Sequence, residues 1–422
     1  MLKVFYNFLI NFFYIPYLII IFYRKIYNKE HKTKFKDKIL FKKIHRPQGF
    51  LFWFHAASIG ELNSVLPIVD FFLKKDENYN FLITTVTMSS YNLFKKKYGS
   101  ENRVYHQFLP YDSNILVENF LKNWRPNIVS FVDSEIWPNF FLKIRKKNLP
   151  LILLNARLTK KTFKRWKIIK SFASEIFGSI KLSICSNKET INYLEYFDAK
   201  NIKYFGNLKY CSTLQNADSF KNIKIETEKN CKIWCAVSTH SGEEIFCAEV
   251  HKLLVKSYKN VKTIIIPRHI NRVNEILISL NKMGLKTQIK NENDNINDDA
   301  EIIIINYYGS VFKYYEKFKQ IFIGKSLIKK FKNDGGQNPI DAARMGCFIY
   351  HGPYVSNFKE IYDYLDSENI SNNIEDKNIL AEKLINKFNS NFAENNKKID
   401  KLNEYSKEIF QQVIKEYESI IL

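Results

Sequence analysis

The sequence predicts an α/β protein of two Rossmann-like, doubly wound domains that face a cleft. From residue 50 onward, short continuous apolar runs alternate with amphipathic helical segments, and a polar stretch at 212–230 interrupts this pattern. Strands that are apolar along their whole length, with helices between them, are typical of parallel sheets covered on both faces. The chain of 422 residues is long enough for two domains of roughly 150–200 residues each.

The first alternating series predicts an N-terminal domain at 49–211. Its apolar segments are expected to be the strands 51–55, 81–85, 104–108, 128–132, 149–154, 180–185 and 202–205. Helical segments separate them, among them 61–73, 113–124, 137–147 and 188–197. Parallel strands need such crossover helices, so each pair of segments predicts one βα unit.

A second series predicts a C-terminal domain at 231–422, joined to the first by a linker at 212–230. The expected strands are 232–237, 261–267, 302–305, 320–324 and 347–350. The Asn-rich, acidic run 290–299 predicts an exposed loop. The stretch 376–422 predicts one or two amphipathic helices that close this domain.

The N-terminus predicts an uncleaved membrane anchor at 1–24, followed by a basic segment at 25–48. Residues 4–23 form an uncharged stretch of about the length needed to cross a bilayer, although Pro16 interrupts it. Between Arg24 and Arg46 there are ten Lys and Arg residues against two acids. By the positive-inside rule this bias predicts that the body lies on the cytoplasmic side. The alternative is a solvated basic helix on a soluble protein.

Composition argues against two classes of function. The net charge is +22, but Lys and Asn are abundant throughout and no zinc-finger, RRM or KH signature is present, so nucleic-acid binding is not expected. The six cysteines include no CxxC pair, and the histidines have no metal-site spacing. We therefore expect free buried thiols and no metal.

Residues 50–63 predict a buried strand, a tight turn and a helix that begins near Gly60. Ser58 and Glu61 have the S-x-x-E spacing of a capping box, so Glu61 could simply close the first turn of its own helix. The alternative is a general base, because small residues clear space at the carboxyl end of the strand, where open α/β sheets bind ligands.

Polar residues also follow the other predicted strands. Asp133 and Glu135 follow one strand of the first domain, and Asn155 and Arg157 follow the next. Each could be a helix cap, but together with Glu61 they predict a site at one edge of the sheet.

In the second domain, residues 238–244 link a strand to a helix, with Ser241 and Glu244 as a possible second capping box. Arg268 ends the next strand, and two glycines precede a helix expected to start at Pro339. Backbone N–H groups at such a helix start can hold a phosphate, which predicts a nucleotide phosphate pocket.

These motifs, in this order, resemble those of the 3-deoxy-D-manno-octulosonic acid (Kdo) transferase family. The matching segments are HAASIGE (55–61), PYD (110–112), SEIWPN (134–139), NARLT (155–159), GNLK (206–209), STHSGEE (238–244), PRH (267–269), GGQNP (335–339) and GPYVSNF (352–358). The resemblance implies a GT-B type glycosyltransferase fold, CMP-Kdo as donor and no cofactor. It also implies a tetra-acylated lipid A precursor as acceptor, in lipopolysaccharide synthesis at the inner membrane of a Gram-negative cell.

The resemblance also implies roles for individual residues. Glu61 matches the general base, while Lys209 and one acid of Asp133 and Glu135 match positions that support the transition state. The segments implied to contact CMP contain Pro267, Arg268, Tyr308, Gly309, Ser310, Asn338, Pro339, Ile340 and Asp341.

Several positions depart from the family pattern. Asp133 stands where the family commonly has Glu, and Gln337 and Asp341 stand where it usually has His and Glu. Lys325 takes a position usually held by glycine, and the turn before Ser310 lacks the usual acid. Two other functions remain open: another nucleotide-sugar enzyme of the same fold, such as an epimerase, and a non-catalytic basic membrane-peripheral binding protein.

Overall fold

A computed structural model gives the fold of two compact units. It describes residues 2–40, 45–211, 231–309, 311–389 and 395–421. The first unit comprises Met1–Thr213 together with Ser406–Leu422, and the second comprises Leu214–Tyr405. The predicted linker at 212–230 lies outside the described residues, as does Ser310.

The described part of the first unit contains a parallel sheet of seven strands in the order β3-β2-β1-β4-β5-β6-β7. The strands are β1 (Phe50–His55), β2 (Tyr79–Thr85), β3 (Val104–Phe108), β4 (Ile128–Val132), β5 (Leu151–Ala156), β6 (Leu182–Cys185) and β7 (Ile202–Tyr204). Their apolar sequences are explained by their position, because Leu51, Phe52, Trp53 and Phe54 of β1 are completely buried.

Helices connect these strands, and polar side chains begin several of them. They are α3 (Ile59–Lys75), α4 (Met88–Tyr98), α5 (Asn114–Trp124), α6 (Pro138–Lys146), α7 (Lys160–Ile168), α8 (Lys170–Phe177) and α9 (Lys188–Tyr196). The side chains of Ser58, Thr87, Ser113 and Thr159 accept N–H groups in the first turns of α3, α4, α5 and α7. These caps explain why the helices begin where they do.

The described part of the second unit repeats this design, with a parallel seven-stranded sheet in the order β10-β11-β9-β8-β12-β13-β14. The strands are β8 (Lys232–Thr239), β9 (Val261–Pro267), β10 (Thr287–Lys290), β11 (Ile302–Ile305), β12 (Gln320–Ile323), β13 (Phe348–His351) and β14 (Ser371–Asn373). The sequence patterns did not predict β10 and β14, which are the short, polar edge strands. The start of the run predicted as a loop at 290–299 is the last residue of β10.

The helices of this unit are α10 (Glu243–Leu254), α11 (Val273–Lys282), α12 (Val311–Lys317), α13 (Ile340–Arg344), α14 (Lys359–Ser367) and α15 (Lys377–Phe388). The last helix of the chain is α16 (Asn395–Ile421). Trp234 of β8 and Tyr350 of β13 are fully buried at the centre of the core of the second unit.

The apolar N-terminus forms two helices, α1 (Leu2–Phe12) and α2 (Tyr14–Ile26), rather than one. Pro16 explains the break, because its ring conflicts with the carbonyl group of Phe12 and it lacks an N–H. In the described part of the chain, no single helix is long and apolar enough to span a membrane. The two helices together, bent by 40°, meet the criteria of length and composition.

This helix pair packs against the body of the first unit. The Tyr6 hydroxyl donates to the Asp112 carboxylate at 2.8 Å, and the Tyr111 hydroxyl donates to the carbonyl oxygen of Ile10 at 3.0 Å. The rings of Tyr17 and Tyr111 stack with centroids 4.5 Å apart. One side of the pair is therefore docked, and the exposed side carries Val4, Phe5, Phe8, Phe12, Phe13, Ile15, Ile19, Ile20, Phe22, Tyr23 and Ile26.

Part of the basic segment is also folded onto this unit. Glu30 is buried and accepts hydrogen bonds from Lys38 Nζ at 2.6 Å and from Arg24 Nε at 2.7 Å. Lys38 Nζ also donates to the carbonyl oxygen of Val86 at 2.9 Å. Burial lowers the pKa of Lys38, and the bond to Glu30 opposes this effect. Two of the basic residues therefore serve the fold itself.

The end of the chain corrects the predicted domain boundary. The predicted C-terminal domain spans all of 231–422, whereas Ser406–Leu422 belongs to the first unit. Tyr417 is fully buried, its hydroxyl lies 2.7 Å from that of Ser130 on β4, and its ring packs near Phe54 and Phe72. An amphipathic pattern predicts a buried face but does not identify its partner, which explains the error.

Both sheets have a switch point, where successive connections leave in opposite directions. In the first sheet it lies beside β1, which pairs with β2 on one side and β4 on the other. In the second sheet it lies beside β8, which pairs with β9 and β12. Ligands bind at the carboxyl ends of strands at such points, so the loops after β1, β4, β8 and β12 are the natural sites.

Candidate functional site

The turn between β1 and α3 forms the predicted capping arrangement. Ser58 Oγ accepts the N–H of Glu61 at 3.3 Å. The Glu61 carboxylate accepts the N–H of Ala57 at 2.8 Å and the Ser58 hydroxyl at 2.7 Å. The cap is therefore confirmed. It also holds the carboxylate in one orientation at the switch point, which a general base requires.

The surroundings of Glu61 raise its pKa. Burial has the largest effect, and the negative charges of Glu135 and Asp133 raise the pKa further. The hydrogen bonds from the Ser58 hydroxyl and the Ala57 N–H oppose this rise. The structure thus brings together the three acids that the sequence analysis placed at one sheet edge, and a raised pKa suits a carboxylate that must accept a proton near neutral pH.

Asp133 forms an ion pair with Lys209. Its carboxylate lies 3.6 Å from Lys209 Nζ, and both side chains are mostly buried. Asn155 holds the turn that carries Lys209, because its Oδ1 accepts the N–H of Leu208 at 2.9 Å. Asp133 and Asn155 both adopt left-handed backbone conformations, with φ of 61° and 52°. Asp and Asn tolerate this region better than most residues, which explains their presence at these strand ends.

Glu135 is held by two donors through one of its oxygens. Oε2 lies 2.8 Å from Trp137 Nε1, which donates to it, and 3.3 Å from His55 Nε2. The His55 side chain is fully buried, whereas that of Glu135 is 23% exposed. Although burial opposes it, the bond from His55 contributes to a lowered pKa of Glu135, so this acid stays ionised at neutral pH.

The switch point of the second unit contains a different carboxylate, that of Glu243. It accepts backbone N–H groups from His240 at 2.9 Å, Lys325 at 2.7 Å, Ser326 at 2.9 Å and Leu327 at 3.1 Å. It therefore ties the β8–α10 loop to the loop after β12. Burial raises its pKa, and these four donors oppose the rise.

The second predicted capping box, between Ser241 and Glu244, is wrong. The residue before α10 is Gly242, which has no side chain to cap the helix. Glu244 instead accepts from Arg272, with a shortest distance of 2.8 Å. Gly324 explains how the buried acid fits, because a Cβ at this position would lie 2.7 Å from Glu243 Oε2.

A cationic edge surrounds Glu243. Its positive charge comes from Arg268 and Lys325, and the rings of His240 and His269 lie on the same edge, 5.8 Å apart. Burial lowers the pKa of His240 to about 4, and the positive charges of His269, Lys325 and Arg268 contribute. The Arg268 side chain is exposed, and its guanidinium has no hydrogen-bond or ion-pair partner among the described residues. The edge is therefore suited to bind an anion.

Lys325 occupies the position that the sequence analysis identified as unusual. Its φ of 59° is left-handed, which explains why glycine would fit there. Its Nζ lies 3.3 Å from Asp334 in an exposed ion pair. The substitution therefore adds a cation to the edge and retains the backbone conformation.

The GGQNP segment ends at a shorter helix than expected. Helix α13 has five residues and begins after Pro339, so it aligns few peptide dipoles. Asn338 Oδ1 already accepts the N–H of Ile340 at 3.2 Å. Burial raises the pKa of Asp341, which Arg344 opposes. A phosphate near this segment would therefore depend on side-chain cations more than on the helix start.

The remaining predicted donor residues are less closely connected. Pro267 is the last residue of β9 and is buried, whereas Tyr308 is 72% exposed and precedes Gly309, whose φ is 81°. Over the described residues, no hydrogen bond or ion pair joins Tyr308 or Asp341 to Arg268. The roles of these residues in donor binding stay predictions.

Sequence reasoning missed two buried residues of the sites, His55 and Glu243. His55 is the polar last residue of an otherwise apolar strand at the switch point, which was a usable signal. Glu243 is the first of two acids that follow a glycine, and spacing alone favoured its neighbour. Among the described residues, no group of three or more His, Cys, Asp or Glu side chains is placed to hold a metal ion.

Solved structures of GT-B type proteins share this fold. A glycosyltransferase from Rickettsia africae aligns with a TM-score of 0.57 at 13% identity, over 89% of this chain and 99% of that one. A UDP-GlcNAc 2-epimerase from Neisseria meningitidis aligns with a TM-score of 0.52 at 12% identity, over 86% and 94%. At these identities the likeness shows the fold alone, and it confirms the predicted fold class.

Sequence comparisons identify the family. The family profile described as 3-Deoxy-D-manno-octulosonic-acid transferase (kdotransferase) matches residues 28–212. The 3-deoxy-D-manno-octulosonic acid transferase of Rickettsia bellii is 30% identical over 82% of this chain and 81% of its own length. That of Haemophilus influenzae is 26% identical over 76% and 74%. The chain therefore belongs to the 3-deoxy-D-manno-octulosonic acid transferase family, and it is a glycosyltransferase.

Proposed function

We propose that this enzyme transfers Kdo from CMP-Kdo to a hydroxyl group of a tetra-acylated lipid A precursor in a single inverting displacement. Glu61 takes the proton of the acceptor hydroxyl as its oxygen attacks the anomeric carbon of Kdo. The bond between that carbon and the phosphate oxygen breaks at the same time, and CMP leaves with the electron pair. Configuration at the anomeric carbon is inverted because attack and departure occur on opposite faces.

The main support for this proposal is the position and environment of the Glu61 carboxylate. It lies at the switch point, is oriented by two donors and has a pKa raised by burial. A placed carboxylate base typically contributes about 10² to 10⁴-fold to rate. The nearby ion pair of Asp133 and Lys209 would place one negative and one positive charge where charge develops during transfer.

The cationic edge of the second unit supports an anionic donor. Arg268 carries a guanidinium without a partner in the described parts of the chain, and Lys325 lies on the same edge. In this proposal they hold the phosphate of CMP-Kdo, while Pro267, Tyr308, Gly309, Ser310, Asn338, Pro339, Ile340 and Asp341 surround the nucleotide. A monophosphate leaves with less charge than a diphosphate, so the proposed reaction needs no cofactor.

The helix pair α1–α2 would attach the enzyme to the cytoplasmic face of the inner membrane of a Gram-negative cell. Its exposed side is a row of large apolar side chains, and the basic segment follows directly. Because Tyr6 and Ile10 bond to the body, the pair as folded lies against the first unit. Attachment at the membrane surface would bring the site to its lipid acceptor.

Vesicle flotation tests this attachment. Phe8→Glu, at a side chain that is 63% exposed on α1, should reduce binding to vesicles that contain anionic lipid by about tenfold or more. The matched control is Ile168→Glu on α7, where the side chain is 84% exposed. Equal flotation of both variants and the unaltered enzyme would contradict attachment through this pair.

Transfer itself is tested with CMP-Kdo generated in place and a tetra-acylated lipid A precursor in detergent. The unaltered enzyme should add Kdo, and Glu61→Gln should lose at least about a hundredfold in kcat at the same folded content, because Gln retains most of the cap but cannot accept the proton. The anomeric configuration of the product tests inversion. Equal activity of the two proteins would limit Glu61 to a capping role, and an inert unaltered enzyme would refute the donor–acceptor pair.

A further inference from the structure

His55 has no role in the reaction proposed above, yet it is fully buried at the end of β1 and contacts one of the site acids. It lies in register with Thr84 of β2 and Phe131 of β4, its two neighbouring strands. A buried imidazole must have its nitrogens satisfied, since a buried polar group without a partner destabilises the fold. The hydrogen-bond partners of the two His55 nitrogens therefore indicate the role of this residue.

Both ring nitrogens of His55 have polar neighbours, and Nε2 is the one that faces Glu135. Trp53 Nε1 donates to Thr84 Oγ1 at 2.9 Å, and that hydroxyl lies 3.0 Å from His55 Nδ1. His55 Nε2 faces the Glu135 carboxylate, which can only accept at neutral pH. A proton on Nε2 satisfies this bond, while Nδ1 lies near both the hydroxyl and, at 3.2 Å, the carbonyl oxygen of Thr84.

Glu135 uses only one of its oxygens in these contacts. Oε2 accepts from both His55 and Trp137, and Oε1 has no hydrogen-bond partner among the described residues. The side chain is partly exposed and close enough to Glu61 for its charge to raise the pKa of that acid. Oε1 is therefore a free acceptor beside the proposed base.

We propose that His55 is a positioning residue that fixes Glu135 through Nε2–H, so that the free Oε1 accepts a hydrogen bond from a hydroxyl group of the acceptor sugar. This inference rests on the proposed function. The hydroxyl bound by Glu135 is a second one, beside the hydroxyl that reacts. Two such contacts would fix the orientation of the sugar ring with respect to Glu61. In a displacement reaction, this orientation increases the rate far more than either contact would alone.

Two substitutions of His55 separate positioning from packing. His55→Gln retains an N–H donor close to the position of Nε2, and His55→Leu retains the apolar volume without the donor. We expect His55→Leu to raise the acceptor KM by at least about tenfold, and His55→Gln to stay within about threefold of the unaltered enzyme. The donor KM should not change in either variant.

The pH profile provides a readout that a packing role would not change. The titratable groups that interact with Glu135 are His55 from β1, which bonds to it, and Glu61 from α3, whose pKa its charge raises; Asp133, which also raises the pKa of Glu61, pairs with Lys209. Because the bond from His55 lowers the pKa of Glu135, its loss in His55→Leu should move the acidic limb of kcat/KM for the acceptor to higher pH.

Glu135→Gln provides a second test if His55→Leu does not fold. Glu135→Gln should raise the acceptor KM as much as His55→Leu, and combining it with His55→Gln should add little. Equal losses in His55→Gln and His55→Leu, or parallel changes in donor and acceptor KM, would overturn the proposal. An unaltered enzyme without transfer activity would instead refute the proposed function.

Discussion

The two units have the same sheet plan but opposite charge at their switch points. In the first unit, Glu61, Asp133 and Glu135 place three carboxylates after β1 and β4, and the charges of Glu135 and Asp133 raise the pKa of Glu61. In the second unit, Arg268 and Lys325 place cations at the corresponding edge. The parallel sheet thus determines where a site forms, and the few residues at the strand ends determine whether it removes a proton or holds an anion.

A second contrast concerns the carboxylate that each unit places after its central strand. The Glu61 carboxylate accepts two hydrogen bonds and has two other acids nearby. The Glu243 carboxylate accepts four backbone hydrogen bonds, and its residue is fully buried. A carboxylate with that many donors has little capacity left for a substrate. Similar positions in similar folds therefore serve chemistry in one unit and loop structure in the other.

Removal of the Glu243 carboxylate should give the largest loss of stability. Glu243→Ala would leave four backbone N–H groups without their acceptor, one of them fully buried and three partly buried, so the free energy of unfolding should fall by about 3 kcal/mol. Denaturant unfolding measures this. The control on the same helix is Glu249→Ala, whose ion pair with Lys377 is exposed and should contribute less than about 1 kcal/mol. Similar losses in both variants would remove the contrast with Glu61.

Asp112 is a structural carboxylate in the first unit, and it should make the free energy of unfolding depend on pH. Burial raises its pKa to about 7, although the N–H groups of Asn139 and Phe140 and the Tyr6 hydroxyl oppose this. Between its ordinary pKa and about 7 the folded state binds a proton that the unfolded state has released, so stability falls as pH rises.

Asp112→Asn should remove this dependence. Between pH values of about 5 and 8, the unaltered enzyme should lose roughly 2–3 kcal/mol more of its free energy of unfolding than the variant does. Denaturant titrations of both proteins at each pH provide the comparison. Identical pH slopes would show that Asp112 is already ionised throughout this range.

Removal of the unpaired cation of the second unit should affect the donor and not the acceptor. Arg268→Ala should raise the donor KM by about 10- to 100-fold, because a charge-assisted contact to phosphate is worth roughly 1.5–3 kcal/mol. Lys329→Ala, at an exposed lysine of the same unit, is the control for net charge. A larger change in the acceptor KM than in the donor KM would reverse the assignment of the two edges.

The smallest effect is expected at Lys325. Lys325→Gly and Lys325→Asn both suit a φ of 59°, so the free energy of unfolding should change by less than about 1 kcal/mol. Both remove a positive charge, so both should raise the donor KM by about three- to tenfold. An unchanged donor KM in both variants would exclude Lys325 from the cationic edge that binds the donor.

Much of the fold was predictable because buried parallel strands have apolar sequences that are easy to recognise. The bounds of β3, β4, β9 and β11 match the predicted segments, and all strands predicted in the first domain are present. Edge strands β10 and β14 were missed because TQIK and SNN are polar and short. The apolar N-terminus was predicted as one segment interrupted by Pro16, and the structure divides it into α1 and α2 at Phe13.

The sequence by itself determined the two alternating series, the capping box at Glu61, the clustering of acids after the strands and the family. These follow from local spacing and from order along the chain. Only the tertiary structure decided that Tyr417 packs in the first unit, that His55 donates to Glu135, and that Glu243 rather than Glu244 joins two loops. Such contacts join residues far apart in sequence, and they depend on which buried polar groups meet a partner when the strands align.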